Sequence, residues 1–472
     1  MKRALTYAAA LSCLAGALAA CATRANVASG GNLVVFNDVR VLDFSGEAPV
    51  SREHMSVVVR DGEIEQVTVQ ELAIPASAQV VEGGGRTLLP GLVDMHVHIW
   101  DQAELGAYLS YGVTTVRNLS GMPYLLTMRD AINAGELDGP RIITTGPILN
   151  GPGPNAQPNH QIVSTPEEAR AAVRAHYETG YRRLKVYSNL SRASYEAIRD
   201  EAHKLGMTIS GHTPEGVRDP GIPFEKPFNI AFSELLDDGF VTFEHTESIV
   251  WHGLADDFDE DRARDLAKSI AASGTPVDPT LIAHANLLRV AESKGAYLKR
   301  PGVDMLNPFI SQMEQGNYDR WAGMDPAYSR KAADFYARAT RIFAEEGVTL
   351  VTGTDAGIFT NIPGASLMDE LALLEGAGLS PSAVLKAATY NAAVVLDEED
   401  ARGRIAPGYT ADMVLVDGDP LDDLGVLSQP AGVVRAGEWF DADAVKALRA
   451  SAAKTDLERS ERNVLAAIAL QQ

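Results

Sequence analysis

Four histidines, one lysine and one aspartate stand where a metal ion could use them. Asp94-Met95-His96-Val97-His98 closes a short apolar run. In a β-strand, residues i and i+2 point to the same face, so His96 and His98 would aim together at one cation. Lys185 occupies an apolar position in Arg183-Leu184-Lys185-Val186-Tyr187. A buried ammonium there is costly unless it is paired or chemically modified. Three further runs end in Ser210-Gly211-His212, in Phe243-Glu244-His245 and in Thr352-Gly353-Thr354-Asp355. Paired imidazoles on one strand, with further histidines and an aspartate at strand ends, suit a shared metal ion.

The elements that must position these groups alternate between strand and helix, the pattern of a parallel α/β architecture. Eight strands are expected, at 92–99, 114–119, 141–146, 182–187, 208–213, 241–246, 276–281 and 349–355. Eight such units predict a (β/α)₈ TIM-like barrel whose site lies at the C-terminal ends of the strands. Pro279 weakens the seventh strand, because proline donates no ladder hydrogen bond. Thr165-Pro166-Glu167-Glu168 reads as a helix start and Gly180 as its end. Residues 282–347 are too long for a loop and predict a helical insert, with Tyr297, Phe309, Tyr318, Trp321 and Tyr328 as core packing or as a lid. β-rich runs at 32–90 and 404–441, with Asp61-Gly62 as a hairpin turn, predict one small β-sandwich module built from both chain ends. The barrel then covers 91–403. A C-terminal helix is expected over 442–472, with Ala444, Leu448 and Leu457 on its apolar side.

Leu89-Pro90-Gly91-Leu92-Val93-Asp94-Met95-His96-Val97-His98, then the lysine, two single histidines and Gly353-Thr354-Asp355, resembles the metal-dependent amidohydrolase superfamily. Leu385–Ala393 and Gly403–Asp412 are similar to that family's closing segments. The likeness spans residues 32–441 and is nearest the imidazolonepropionase-like branch that includes Xaa-Pro dipeptidases. The resemblance implies a binuclear site, usually zinc. His96, His98 and Asp355 would hold the buried ion and His212 and His245 the outer one, with Lys185, carbamylated by CO₂, bridging both. It also implies that a bridging hydroxide attacks a polarised carbonyl and that Asp355 carries the proton to the leaving nitrogen. Dipeptidase members carry His-Ala-Tyr-Thr-Pro after the fifth strand. This chain has His212-Thr213-Pro214, without the tyrosine.

Other polar residues are read more plainly. His160, Tyr187 and His252 follow catalytic-face strands and are candidates for substrate contact, as is His284. Arg117 is taken as a structural ion-pair partner as readily as a site residue. His176 and His203 are expected on solvated helix faces and His54 as structural. The run Asp256 to Asp261 reads as a solvated loop and helix start rather than a calcium loop.

The chain has 472 residues, 41 Lys+Arg and 63 Asp+Glu, giving a net charge of −22, with 46% hydrophobic residues. That is globular composition, and the acidity argues against nucleic acid as a partner. Lys2 and Arg3, the apolar run 4–20 and Leu18-Ala19-Ala20-Cys21 resemble a bacterial lipoprotein signal. Residues 1–20 would be removed, Cys21 lipidated and 21–31 left as a tether. The expected location is the cell envelope, at the outer membrane facing the periplasm, with the membrane touched only through the lipid. Cys13 would leave with the signal, so the mature chain would hold no disulfide. The expected partner is a small-molecule substrate, and a homo-oligomer is compatible with the sequence. The leading expectation is hydrolysis of amide or peptide bonds in dipeptides or N-acyl amino acids. Hydrolysis of a lactone, cyclic amide or organophosphate is the alternative, and a non-catalytic metal-holding lipoprotein is a third. The proton-shuttling Asp355 has no use in that third case.

Overall fold

The computed structural model describes residues 25–26, 31–153, 155–157, 159–217 and 228–469. The signal, Cys21 and nearly all of the tether lie outside them.

The two chain ends meet in one hydrogen-bonded sheet of eight strands. Thr87–Pro90 pairs antiparallel with Met413–Val416, which joins the N-terminal strands to the C-terminal ones. Alternating apolar residues of these strands, among them Phe36, Val57, Ile64, Met413 and Val434, form a separate core. The Asp61-Gly62 turn works as its residue types demand. Both have positive φ, 47° and 92°, and Arg60 pairs directly with Glu63 across it.

The rest is a barrel of parallel strands with helices outside. Leu92–Val97, Val113–Asn118 and Arg141–Thr144 form one ladder. Arg183–Val186, Thr208–Gly211, Phe240–Glu244 and Val277–Asp278 form another. Gly146 N donates to Arg183 O at 3.0 Å, joining the two. The eighth segment bonds both neighbours: Val351 N to Val277 O at 3.1 Å and Met95 N to Thr352 O at 2.7 Å. It is not a regular strand, contrary to expectation. It makes only single bridges, Val277 to Leu350 and Val97 to Ala356, and Asp355 has φ 57°. The seventh strand is two residues long and stops before Pro279, as a proline without N–H requires. Most strands end two or more residues earlier than the sequence suggests, because the chain turns away into the loops of the catalytic face.

The helix Pro166–Thr179 has the predicted cap: Thr165 Oγ1 accepts from Glu168 N at 3.2 Å and Gly180 closes it at φ 112°. The insert is helical, with Leu281–Glu292, Pro308–Met313, Gln315–Gly323 and Ala327–Glu345. The tail is two helices, Ala442–Ala452 and Leu457–Ala469, not one. Leu457 is 52% exposed, against the expected apolar side, while Val464 is buried. No described helix is long and apolar enough to cross a membrane.

Candidate active site

His98, His212 and His245 each follow the last laddered residue of a strand, whereas His96 and Lys185 lie inside theirs. Five of the six predicted ligands are buried and His212 is partly buried, and all six converge at the C-terminal end of the barrel. Lys185 Nζ is 2.8 Å from His96 Nε2. Asp355 Oδ1 lies 2.7 Å from His98 Nε2 and 3.3 Å from His96 Nε2. Donor atoms of His96, His245 and Asp355 fall within 4.8 Å of one another. The His212 ring is 4.4 Å from the His245 ring, centroid to centroid.

The hydrogen bonds of the rings show which nitrogen of each is held from outside the cluster and which faces into it. Nδ1 of His96 meets Glu244 Oε2 at 2.9 Å, Nδ1 of His98 meets Ser120 Oγ at 2.6 Å, and Nδ1 of His245 meets Thr280 Oγ1 at 2.5 Å. Each leaves Nε2 for a cation, the arrangement by which outer partners orient a metal-binding histidine. His212 is different: its buried Nδ1 has no hydrogen-bond partner among the described residues. An orphaned ring nitrogen in this nest is the donor that a metal would satisfy. Burial holds His96, aided by the Lys185 charge, and His212, aided by His245, well below the usual imidazole range. Burial also takes His245 down to about 4. All these rings are neutral, as ligation requires. Burial raises the Asp355 carboxyl, but the His96 and His98 rings and the His98 hydrogen bond outweigh it and hold it well below the carboxylate range. Burial lowers Lys185 to about 8. The residues fit a divalent metal site.

Glu244 is a site residue that the pattern did not reveal. Neighbours along a strand face opposite ways, so Glu244 should point away from His245. The backbone breaks that alternation, because His245 has φ 67°. Glu244 therefore reaches His96 while Arg117 Nη2 donates to its Oε1 at 2.8 Å. Arg117 is fully buried and also donates to Thr242 Oγ1 at 2.8 Å and Met95 O at 2.6 Å, which makes it the structural ion-pair partner. Asp94 braces the eighth segment, accepting from Thr354 N at 3.1 Å and Thr354 Oγ1 at 2.7 Å. Gly353 packs where a Cβ would lie 2.2 Å from the Asp278 carboxylate, so this position needs glycine.

The ligand cluster forms the floor of a cavity of about 620 Å³. His160 and Tyr187 line it, with the Tyr187 ring tilted against His212 at 3.9 Å and against His160 at 4.6 Å, centroid to centroid. Burial pushes His160 down to about 3, so it is neutral. His252 is a correction. It does not line this cavity, and its Nδ1 meets Thr213 Oγ1 at 2.7 Å while Nε2 donates to Ile230 O at 2.8 Å. Its strand-end position was right for the catalytic face, but its helix turns the ring outward from the metals. His284 bonds Ser329 O at 3.0 Å and packs against Trp321. His176 is a second correction: it is buried, with Nε2 2.7 Å from Gln161 Oε1, while His203 is exposed as expected. His54 is an exposed partner of Asp38 at 2.8 Å. Asp259 caps the helix Glu260–Ser273, so the acidic run starts a helix.

Residues 87–440 match the amidohydrolase family. The chain belongs to that family. It is a hydrolase acting on carbon–nitrogen bonds, and its family uses divalent metal. It is 24% identical over 408 residues to the ochratoxinase of Aspergillus niger, covering 75% of each chain. The solved structure of bottromycin amidohydrolase is 26% identical with a TM-score of 0.69, covering 90% of this chain and 91% of that one. A Xaa-Pro dipeptidase solved with bound methionine shares the fold at 21% identity and a TM-score of 0.64, covering 87% of this chain and all, 100%, of that one.

Proposed function

We propose that this amidohydrolase cleaves small amides of amino acids, either N-acyl amino acids or dipeptides, that carry a bulky apolar group. The observation behind this reading is the nest of four histidines with one orphaned ring nitrogen, set in a cavity whose lining mixes apolar side chains such as Trp100 and Ile468 with polar ones such as Asn155, Glu314 and Arg320. His96, His98 and Asp355 would hold one ion and His212 and His245 the other, with zinc the metal that suits such a donor set. Two such cations lower the pKa of water and polarise a carbonyl. Lys185 would bridge them as a carbamate. Its burial favours the neutral amine, which adds CO₂, loses a proton and becomes an anionic oxygen ligand. Asp355, ionised beside the reacting centre, takes the proton from the attacking water and delivers it to the leaving nitrogen. Tyr187 and His160 stand beside the outer ligand His212 and would contact the substrate. His212-Thr213-Pro214 lacks the tyrosine found in dipeptidases, which favours N-acyl amino acids over free dipeptides.

The relatives are named as an ochratoxinase, a bottromycin amidohydrolase and a Xaa-Pro dipeptidase, which supports amide bonds as the target. A screen of the zinc-loaded enzyme on N-acyl amino acids, dipeptides, lactones and phosphotriesters tests the reading. Cleavage of amides is expected. Turnover of lactones or phosphotriesters with no amide cleaved would replace it with the second reading. The proposed location is the cell envelope through a lipid on Cys21, and Cys21→Ser should then abolish labelling with radioactive palmitate. Unchanged labelling would remove that proposal.

A further inference from the structure

We propose that the terminal helix Leu457–Ala469 and the insert helix Pro308–Met313 form the subsite for the apolar group of the substrate, so that the tail sets specificity. This rests on the amide-hydrolase reading above. The family match ends at residue 440, so the terminal helix lies beyond it. Ser460, Val464 and Ile468 recur every four residues and so share one helix face. Ser460 and Val464 are fully buried. Ile468, and Met313 of the insert, line the same cavity as Lys185, His212 and Asp355, with Val464 and Ile310 also at its lining but almost wholly buried in the core. Met313 is 48% exposed and still lines the cavity, which puts it at the mouth.

A wall can select a substrate only if it is held in place. Arg459 donates through Nε to Asp101 Oδ2 at 2.8 Å and through Nη2 to Asp101 Oδ1 at 2.7 Å. The Asp101 side chain is completely buried, next to Trp100, another lining residue. Asn307 Nδ2 donates to Ser460 Oγ at 2.6 Å and approaches Glu104 Oε1 at 3.3 Å. A two-pronged guanidinium–carboxylate pair fixes direction as well as distance. The helix is thus tied both to the loop after the His-x-His strand and to the start of the insert helix. The apolar face is preorganised before any ligand arrives, which keeps the ordering cost of binding low.

The test is a chain-length series of one amino acid carrying acetyl, butanoyl, hexanoyl or octanoyl groups, given to the full metal-loaded chain. Burial predicts a gain of about fourfold in kcat/KM for each added methylene until the wall is covered. Met313→Asp, at a half-exposed position where misfolding is not expected, and Ile468→Asp should flatten that slope to about onefold. Leu457→Ser, on the outer face of the same helix, should leave it intact. The same compounds are titrated by quenching of tryptophan fluorescence, since Trp100 and Trp321 line the cavity. A binding slope lost in the two aspartate variants supports the wall even where no amide is cut, and then only the catalytic reading fails. A slope unchanged in both variants, by turnover and by binding, overturns the proposal.

Discussion

Asp355 is asked to do two things, ligate and shuttle a proton, and its carboxylate is shaped for both. The neighbouring rings keep it ionised, and its left-handed backbone turns it toward His96 and His98. Asp355→Asn should keep much of the metal affinity while kcat falls about 10²–10⁴-fold, the range for loss of general acid–base catalysis; rate and metal content measured on one preparation check this. A second prediction concerns Thr280, whose hydroxyl holds His245 at 2.5 Å. Thr280→Val should weaken metal binding about 10–100-fold in chelator competition, as loss of an orienting partner does elsewhere, with the melting temperature of the metal-free protein nearly unchanged. The six candidate ligands could be placed together from the sequence because His-x-His, a lysine at an apolar position and strand-end residues all fall at one end of a parallel barrel. Ser120, Thr280 and Glu244 could not, since hydroxyls and carboxylates follow strands everywhere and only the fold brings them to a ring nitrogen. His252 and His160 looked equivalent in sequence; only the direction of the following chain separates them.

The elements carry the same lesson. Seven barrel strands and both β-rich ends could be read from apolar runs, turn residues and caps. The eighth segment could not be read as irregular, because its departure from a ladder comes from Asp355 and from the tight fit of Gly353 against Asp278, which are tertiary facts. The split of the tail into two helices was equally hidden, and the polar clamp at Asp101, Asn307 and Ser460 decides which face turns inward. Glu104 sits in this clamp, close to Asp101, and accepts from Trp100 N at 3.2 Å. Burial raises its carboxyl from 4.5 to about 8. The folded form therefore keeps its proton where the unfolded chain loses it. A raised carboxyl stabilises below the unfolded value and loses that stability as pH climbs to the folded one. The chelator-treated wild type should lose stability relative to Glu104→Gln progressively from about pH 5 to pH 8, read as the difference between their melting temperatures. An equal dependence in the variant would assign the effect to other groups.

At the scale of the whole molecule, the chain ends do more than terminate the fold. Thr87–Pro90, which leads into the first barrel strand, pairs with Met413–Val416, while Ile468 of the last helix lines the catalytic cavity. The net charge of −22 opposes strongly anionic substrates, so recognition falls to the metals and to the apolar wall. The whole arrangement has one centre, the four rings, one carboxylate and one lysine at the top of the barrel, and its central claim is that they hold two ions. Elemental analysis of the purified full chain after dialysis against metal-free buffer tests this directly. The account predicts two divalent ions per wild-type chain and one or none in Lys185→Ala. A wild-type chain that retains at most one would contradict it.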